Sequence, residues 1–353
     1  MQTDRAHKLL IAGTILLLLL GGVYLLTLSN DGLSDRTTGA VDEEILRVSQ
    51  DAPSSVTFSE AIDLPLAGSA PETNVRHTIA IEEIRQGCFR QDCIPAIDRP
   101  EFLPARDMTS LLSPDSLGIA LSYKGEHRFY PFPMLETHEL VNDVVAGDPL
   151  LVSYCPLCGT GIVFDRRVEG DVFEFGVSGM LWQSNLLMYN RAADVSDRNL
   201  WSQVLGAAVV GDRAGEKLTI IPSDIMRFVD WQSTFPDALV LTTGTPQDPY
   251  GGDYLRVANS FEPDFDPTVA DLPPDAYVYG IIVNDQPVAI PRAVVSEGMT
   301  RTSVAGTDIM IAQTAAGVVE ITHATGSAIP DIEGFWFSWQ SAHPDTIVWS
   351  PMQ

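Results

Sequence analysis

Residues Leu9 to Leu28 read LLIAGTILLLLLGGVYLLTL, twenty positions without a charge. A helix rising ~1.5 Å per residue over that length matches a hydrocarbon core about 30 Å thick. No other run is long and apolar enough for a second pass. The run exceeds the apolar core of an ordinary signal peptide, and no small-x-small cleavage site follows it. A cleaved signal peptide is the alternative. Arg5 and Lys8 precede the run, while Asp31 and Asp35 follow it. The positive-inside rule then predicts a cytoplasmic tail over 1–8, a transmembrane helix over 9–28, and everything later outside. The expected localisation is the cell membrane, single-pass, with an extracytoplasmic C-terminal domain in an oxidising compartment. The membrane, reached through this helix, is the first expected partner.

The chain as a whole has globular composition: 45% hydrophobic and 19% charged residues argue against disorder throughout, collagen or a coiled coil. There are 21 basic and 47 acidic residues, a net charge of −26. Such a field repels phosphate backbones, so nucleic acid is excluded as a partner. An unknown small ligand or partner protein remains. Residues 29–75, rich in Ser, Thr, Asp, Gly and Ala, read as a flexible spacer. From His77 onward, short apolar runs alternate with Gly, Pro and Asp. Gly118–Tyr123, Asp148–Tyr154 and Val278–Val283 suit strands. Helices are expected over Met134–Val145, Pro222–Thr234 and Asp107–Leu112. The mixture predicts a β-rich α+β fold rather than a doubly wound parallel sheet.

Four short matches recur in the same order. Gly118-Ile119-Ala120-Leu121 returns as Gly280-Ile281-Ile282-Val283, and Arg128–Pro131 loosely as Val288–Pro291. Val145-Ala146-Gly147 returns as Val304-Ala305-Gly306. Trp231-Gln232-Ser233 with Pro236-Asp237 returns as Trp339-Gln340-Ser341 with Pro344-Asp345. Gly118 and Asp237 are 119 positions apart, Gly280 and Asp345 only 65. The pattern predicts two related half-repeats. Residues 76–245 form the first, with a long insert between about Phe164 and Leu218. Residues 246–353 form a second, degenerate copy that serves as scaffold. Two similar strand patterns without common origin are the alternative.

The segment with most chemistry is Tyr154-Cys155-Pro156-Leu157-Cys158-Gly159-Thr160-Gly161. Two positions between thiols let both sulfurs face one way, as a reversible disulfide or a pair of metal ligands requires. A structural disulfide is the plainer alternative. Gly159 stands where a c-type haem site needs histidine. Cys88 and Cys93 form a second pair, read as a local disulfide, with a four-thiolate zinc site as the sharper option. His138, on the expected helix before the cysteine strand, is a candidate metal ligand or acid–base group beside the thiols. In the insert, Ser178, Asn185, Arg191, Trp201, Ser202 and Gln203 could line a ligand pocket, or form an ordinary polar surface. Lipase-elbow, phosphate-loop and EF-hand spacings are missing.

These segments together resemble one family, domain of unknown function 3179, over roughly residues 83 to 353. The motifs are Asp92–Asp98, His138–Asp143, Tyr154–Gly161, Phe175–Gly179, Ser184–Arg191 and Leu200–Gln203. The resemblance implies a secreted or membrane-anchored protein and supplies no mechanism. Relatives often carry Asp-Gly-Ile-Pro where this chain has Asp92-Cys93-Ile94-Pro95, which marks the Cys88–Cys93 pair as an accessory. They often carry tryptophan where this chain has Thr137.

Three functions are expected of such a site. The first is soft-metal binding, copper or zinc, by Cys155, Cys158 and His138, catalytic if a coordination position stays open. The second is thiol–disulfide redox, with Cys155 attacking and Cys158 resolving. The third is a non-enzymatic binding module with both cysteine pairs as disulfides. The first ranks highest, because the polar insert follows the cysteines only in the half that keeps them.

Overall fold

The computed structural model describes residues 75–88, 90–243, 252–315 and 317–351. The expected tail, transmembrane helix and spacer lie outside them, apart from Val75. Among the described residues no helix is long and apolar enough to cross a membrane. Strands far outnumber helices, giving the β-rich α+β body.

Two blocks of the body share a strand order. In the first, Leu117–Tyr123 and Glu126–Pro131 form a hairpin. Asp224–Arg227 pairs antiparallel with the former and Leu239–Leu241 parallel with the latter. In the second, Tyr277–Val283 and Gln286–Pro291 form the hairpin. Asp331–Phe335 and Ile347–Val348 flank it in the same two senses. The registers agree as well. Gly118 faces Pro131 and Met226; Val278 faces Pro291 and Gly334. Arg128 faces Leu239, and Val288 faces Ile347. This register sets Ala120, rather than Gly118, opposite Gly280 in the comparison. Both hairpins turn through two residues at positive φ, Lys124-Gly125 and Asn284-Asp285, the geometry that suits the twist of paired strands.

Each block continues into a further hairpin with an Ala-Gly turn. Leu140–Val145 pairs with Asp148–Cys155 across Ala146-Gly147, and Gly298–Val304 with Thr307–Gln313 across Ala305-Gly306. Asp148–Cys155 then pairs with Thr160–Asp165, and a bridge from Gly161 to Glu333 joins the blocks in one eight-stranded sheet. The extra segment of the first block is a sheet of its own. Its order is Ile84–Gln86, Phe175–Trp182, Asn185–Asn190, Leu200–Ser202 and Ala207–Val210, antiparallel throughout.

The expected helices are corrected. Only Phe132–Leu135 is helical before a strand over Leu140–Val145. That strand is buried on both faces over Leu140–Asp143, so its apolar run lacks the period-two signal. The second helix is shorter than Pro222–Thr234. Asp224–Arg227 is strand, and the helix is Phe228–Thr234. Asp107–Leu112 holds no helix, only a 3-10 turn over Ala105–Asp107. Helices Tyr254–Asn259 and Trp336–Ala342 were not foreseen.

Candidate functional site

Strand Asp148–Cys155 ends at Cys155, where Pro156 opens a single 3-10 turn over Pro156–Cys158. Proline fits the first position of such a turn because its missing N–H would have no partner there. Gly159 closes the turn at φ 56°, and a Cβ there would meet the Phe335 ring at 2.7 Å. The turn therefore needs glycine on both counts. It presents Cys155 and Cys158 as free thiols, 1% and 0% exposed. The expectation of a second disulfide does not hold at this pair.

The insert delivers the thiols' shared partner. Strands Phe175–Trp182 and Asn185–Asn190 turn through Gln183 and Ser184, both at positive φ. The Ser184 carbonyl lies 3.8 Å from the Cys155 Sγ and 3.2 Å from the Cys158 Sγ. The Ser184 hydroxyl donates to the Ala258 carbonyl at 2.7 Å, tying helix Tyr254–Asn259 over the turn. Behind the thiols runs a satisfied polar chain. Gln203 donates to the Ser153 hydroxyl and the Thr160 carbonyl and accepts from Asn185. Asn185 in turn accepts the Val204 N–H, and the Thr160 hydroxyl donates to the Cys158 carbonyl. Buried polar groups hold position only when paired in this way.

Of the six insert residues singled out in the sequence, Asn185 and Gln203 are thus brought to the thiol turn as braces. The polar groups of the others are engaged elsewhere. Ser178 donates to the Leu187 carbonyl and accepts from Met180, closing a bulge. Trp201 donates to Asn190, and Ser202 accepts from Leu205. Arg191 pairs with Asp98 at 2.6 Å and Asp92 at 3.3 Å.

His138 does not reach the thiols as a third ligand. Its Nδ1 lies 2.7 Å from the Pro95 carbonyl, and the side chain is half-buried. Among the described residues no three His, Cys, Asp or Glu side chains converge as a metal-ligand group. The reason is local. His138 lies in a turn rather than a helix, and the left-handed backbone at Glu139 redirects the chain before the strand begins. The residue sent inward is Glu139. Cys88 and Cys93 are also absent from the thiol site. They form a disulfide whose loop donates its Gly87 and Cys88 N–H groups to the Gly179 carbonyl.

Glu139 is the site residue the sequence reading missed. It is 7% exposed, and among the described residues its carboxyl has neither a hydrogen bond nor an ion pair. Burial, then the neighbouring Cys155, holds that carboxyl well above the usual carboxylate range. Burial likewise pushes the Cys155 thiol up, and the adjacent Cys158 adds to it, while the Leu186 N–H opposes the shift. Glu139 has φ 58°. A non-glycine residue there is strained and is typical of functional positions. In the second block the position equivalent by the Val145–Val304 match is Gly298, also at positive φ.

Around this centre stand aromatic rings from both blocks. Phe132 stacks on Tyr154 at 3.9 Å, and Tyr277 meets Phe335 edge-on at 5.0 Å. The Tyr254 hydroxyl donates to Glu136 at 2.8 Å. Burial raises the Tyr154 phenol, with Tyr277, Glu136, Tyr254 and Cys155 all near enough to add to it.

The residues that build this centre, from Asp92 through Gln203, fall inside a stretch that one known family matches. That family, described as a protein of unknown function (DUF3179), matches residues 91–328. The chain belongs to the DUF3179 family. No curated protein and no solved structure matches it. Within this DUF3179 chain the matched stretch takes in the thiol turn, Glu139, the whole polar brace and most of the second block, and leaves Cys88 outside.

Proposed function

We propose that this protein is a membrane-anchored, extracytoplasmic thiol–disulfide redox protein whose working couple is Cys155 and Cys158. The observation that carries the reading is a pair of free thiols on one buried turn, in a chain whose other cysteine pair is oxidised. Among the described residues no third ligand converges on the pair, which favours this reading over the metal one.

The step balances as follows. Cys155 loses its proton and attacks one sulfur of a disulfide RSSR. One RS⁻ leaves, takes a proton and departs as RSH. Cys158 then attacks Cys155 in the mixed disulfide and expels the second RSH, so the protein pair is oxidised as RSSR is reduced. Only a thiolate attacks, and a buried thiol ionises poorly. Glu139 answers that need: a carboxyl with a raised pKa beside Cys155 is a stronger base than an exposed one. The Ser184 carbonyl receives the thiol hydrogens in the resting state.

The two blocks are read as copies of one ancestral unit. The first gained the insert sheet that encloses the thiols. Leu9–Leu28 anchors the domain.

The test uses the full-length protein in detergent with 2-hydroxyethyl disulfide. Wild type is expected to form a Cys155–Cys158 disulfide, seen by peptide mass. Cys158→Ala is expected to stop at a mixed disulfide on Cys155. Two thiols that stay free after prolonged exposure, with the protein folded, would overturn the proposal.

A further inference from the structure

The surroundings of the thiol pair also carry information about the disulfide it would take; this inference rests on the redox reading above. Neither sulfur lies at the surface, so a disulfide held on a folded protein cannot present its sulfurs to Cys155 without unpacking the turn. A small molecule is the better fit. Glu139 neighbours Cys155, and the Ser184–Ala258 bond ties helix Tyr254–Asn259, whose Tyr254 hydroxyl is held by Glu136, over the thiol turn; Tyr277 meets the Phe335 ring that covers Gly159, and Tyr154 precedes Cys155 directly. Glu139 is the telling member, because its carboxyl is more than nine-tenths buried and unpartnered among the described residues. The Arg292 guanidinium, over the Tyr277 ring, is already paired with Glu333. The chain as a whole adds a net charge of −26.

We infer that the Cys155–Cys158 site takes small disulfides that carry amines, docked by the Glu136 and Glu139 carboxyls and the tyrosine rings, and rejects anionic ones. An ammonium is attracted both to a carboxylate in a poorly hydrated site and to the negative face of an aromatic ring. An anionic disulfide meets repulsion from the same groups and from the field of the whole protein. The reaction is the exchange written above: the amine-bearing disulfide is reduced to two aminothiols as Cys155 and Cys158 are oxidised.

The test compares three disulfides of similar size and different charge, each against reduced full-length protein. They are cystamine, 2-hydroxyethyl disulfide and dithiodiglycolate. Each rate is divided by that of the same disulfide with a simple thiol, which removes intrinsic reactivity. The expected order is cystamine, then the neutral compound, then the anion, with about tenfold between the first two. Glu136→Gln should shrink the cystamine-to-neutral ratio several-fold, whereas 0.5 M salt should shrink it less, because a partly buried charge pair is weakly screened. Equal normalised rates, a reversed order, or a ratio untouched by Glu136→Gln would overturn the charge inference and leave the redox reading standing. Failure of all three disulfides to oxidise the pair would overturn both.

Discussion

In the first block, strand Asp148–Cys155 runs into the Pro156–Cys158 turn and then into the insert sheet. In the second, strand Thr307–Gln313 turns back within a few residues to Val319–His323. The two hairpin cores are alike in order and register, yet their packing is exchanged. Gly118 lies under the Phe129 ring in the first, with Val278 and Ala289 at the matching places of the second. Ala120 is matched by Gly280, whose missing Cβ would lie 2.1 Å from the Trp339 ring. A close-packed interior accepts one volume distribution or the other, not a mixture. The site differs in the same manner. Where one block tolerates Glu139 at positive φ, the other has Gly298. The strained backbone and the extra sheet thus occur together in the block that carries the free thiols. The plainer block is more than scaffold, because Tyr277 and Phe335 come from it.

The equivalent tryptophans offer the largest test of that comparison. Trp231 and Trp339 are both buried in the helix that closes each block. The Trp339 Nε1 donates to Thr346 at 2.9 Å, whereas the Trp231 Nε1 has no hydrogen-bond partner among the described residues. Trp339→Ala should cost about 3–5 kcal/mol by denaturant unfolding, the usual range for emptying such a site. Trp231→Ala should cost less, since no hydrogen bond is lost with it. The reverse order would break the equivalence.

Next is an acid in the second block only. Glu333 is buried and pushed up to about 7, chiefly by burial, against the pull of Arg292. Its counterpart in the first block is Ile225, whose N–H it accepts at 2.8 Å. Raised in the fold above its unfolded value near 4.5, this group leaves stability whole below that pH. Stability is then lost as pH rises through about 7, by on the order of 3 kcal/mol. Urea unfolding at pH 5 and pH 8 should reveal the fall, and Glu333→Gln should make it shallower, the remainder coming from Glu139, Asp224 and Asp331, whose carboxyls burial also raises. An unchanged slope in that variant would remove Glu333 from the account.

Glu139→Gly makes the first block resemble the second at the strained position. Exchange at the thiols should slow about a hundredfold, the usual worth of a positioned base. Unfolding stability at pH 8 should hold or rise, because a buried acid and a strained φ are both removed. A variant as fast as wild type would deny Glu139 its role. The smallest effect concerns Ala238, which stands where the second block has Thr346. Ala238→Thr offers Trp231 its missing acceptor and should add about 1 kcal/mol. A loss of stability would mean the two helices are seated differently.

The sequence reading succeeded where the physics is local. Leu117–Tyr123, Asp148–Cys155 and Tyr277–Val283 are short apolar runs bounded by turn residues, and each is a strand. It failed over Leu140–Val145, where burial on both faces erases alternation, and over Asp224–Arg227, which is strand only through its pairing with Leu117–Ala120. The Cys88–Cys93 disulfide was legible as a local staple. Glu139 was not, because nothing in its neighbours marks a carboxyl that tertiary packing will bury. His138 drew attention on residue type alone. Tyr277 and Phe335 reach the site through a bridge between Gly161 and Glu333, a long-range pairing that no local pattern announces.

The central claim is that Cys155 and Cys158 form a reversible couple. The most direct measurement equilibrates the full-length protein in glutathione buffers from fully reducing to fully oxidising, then quenches it and counts thiols by mass, with metal content determined on the same samples. The account predicts one two-electron transition confined to Cys155 and Cys158, reversible from both directions, lost in Cys155→Ala and independent of metal. Thiols that never oxidise, or that are protected by near-stoichiometric copper or zinc which Cys155→Ala abolishes, would contradict it.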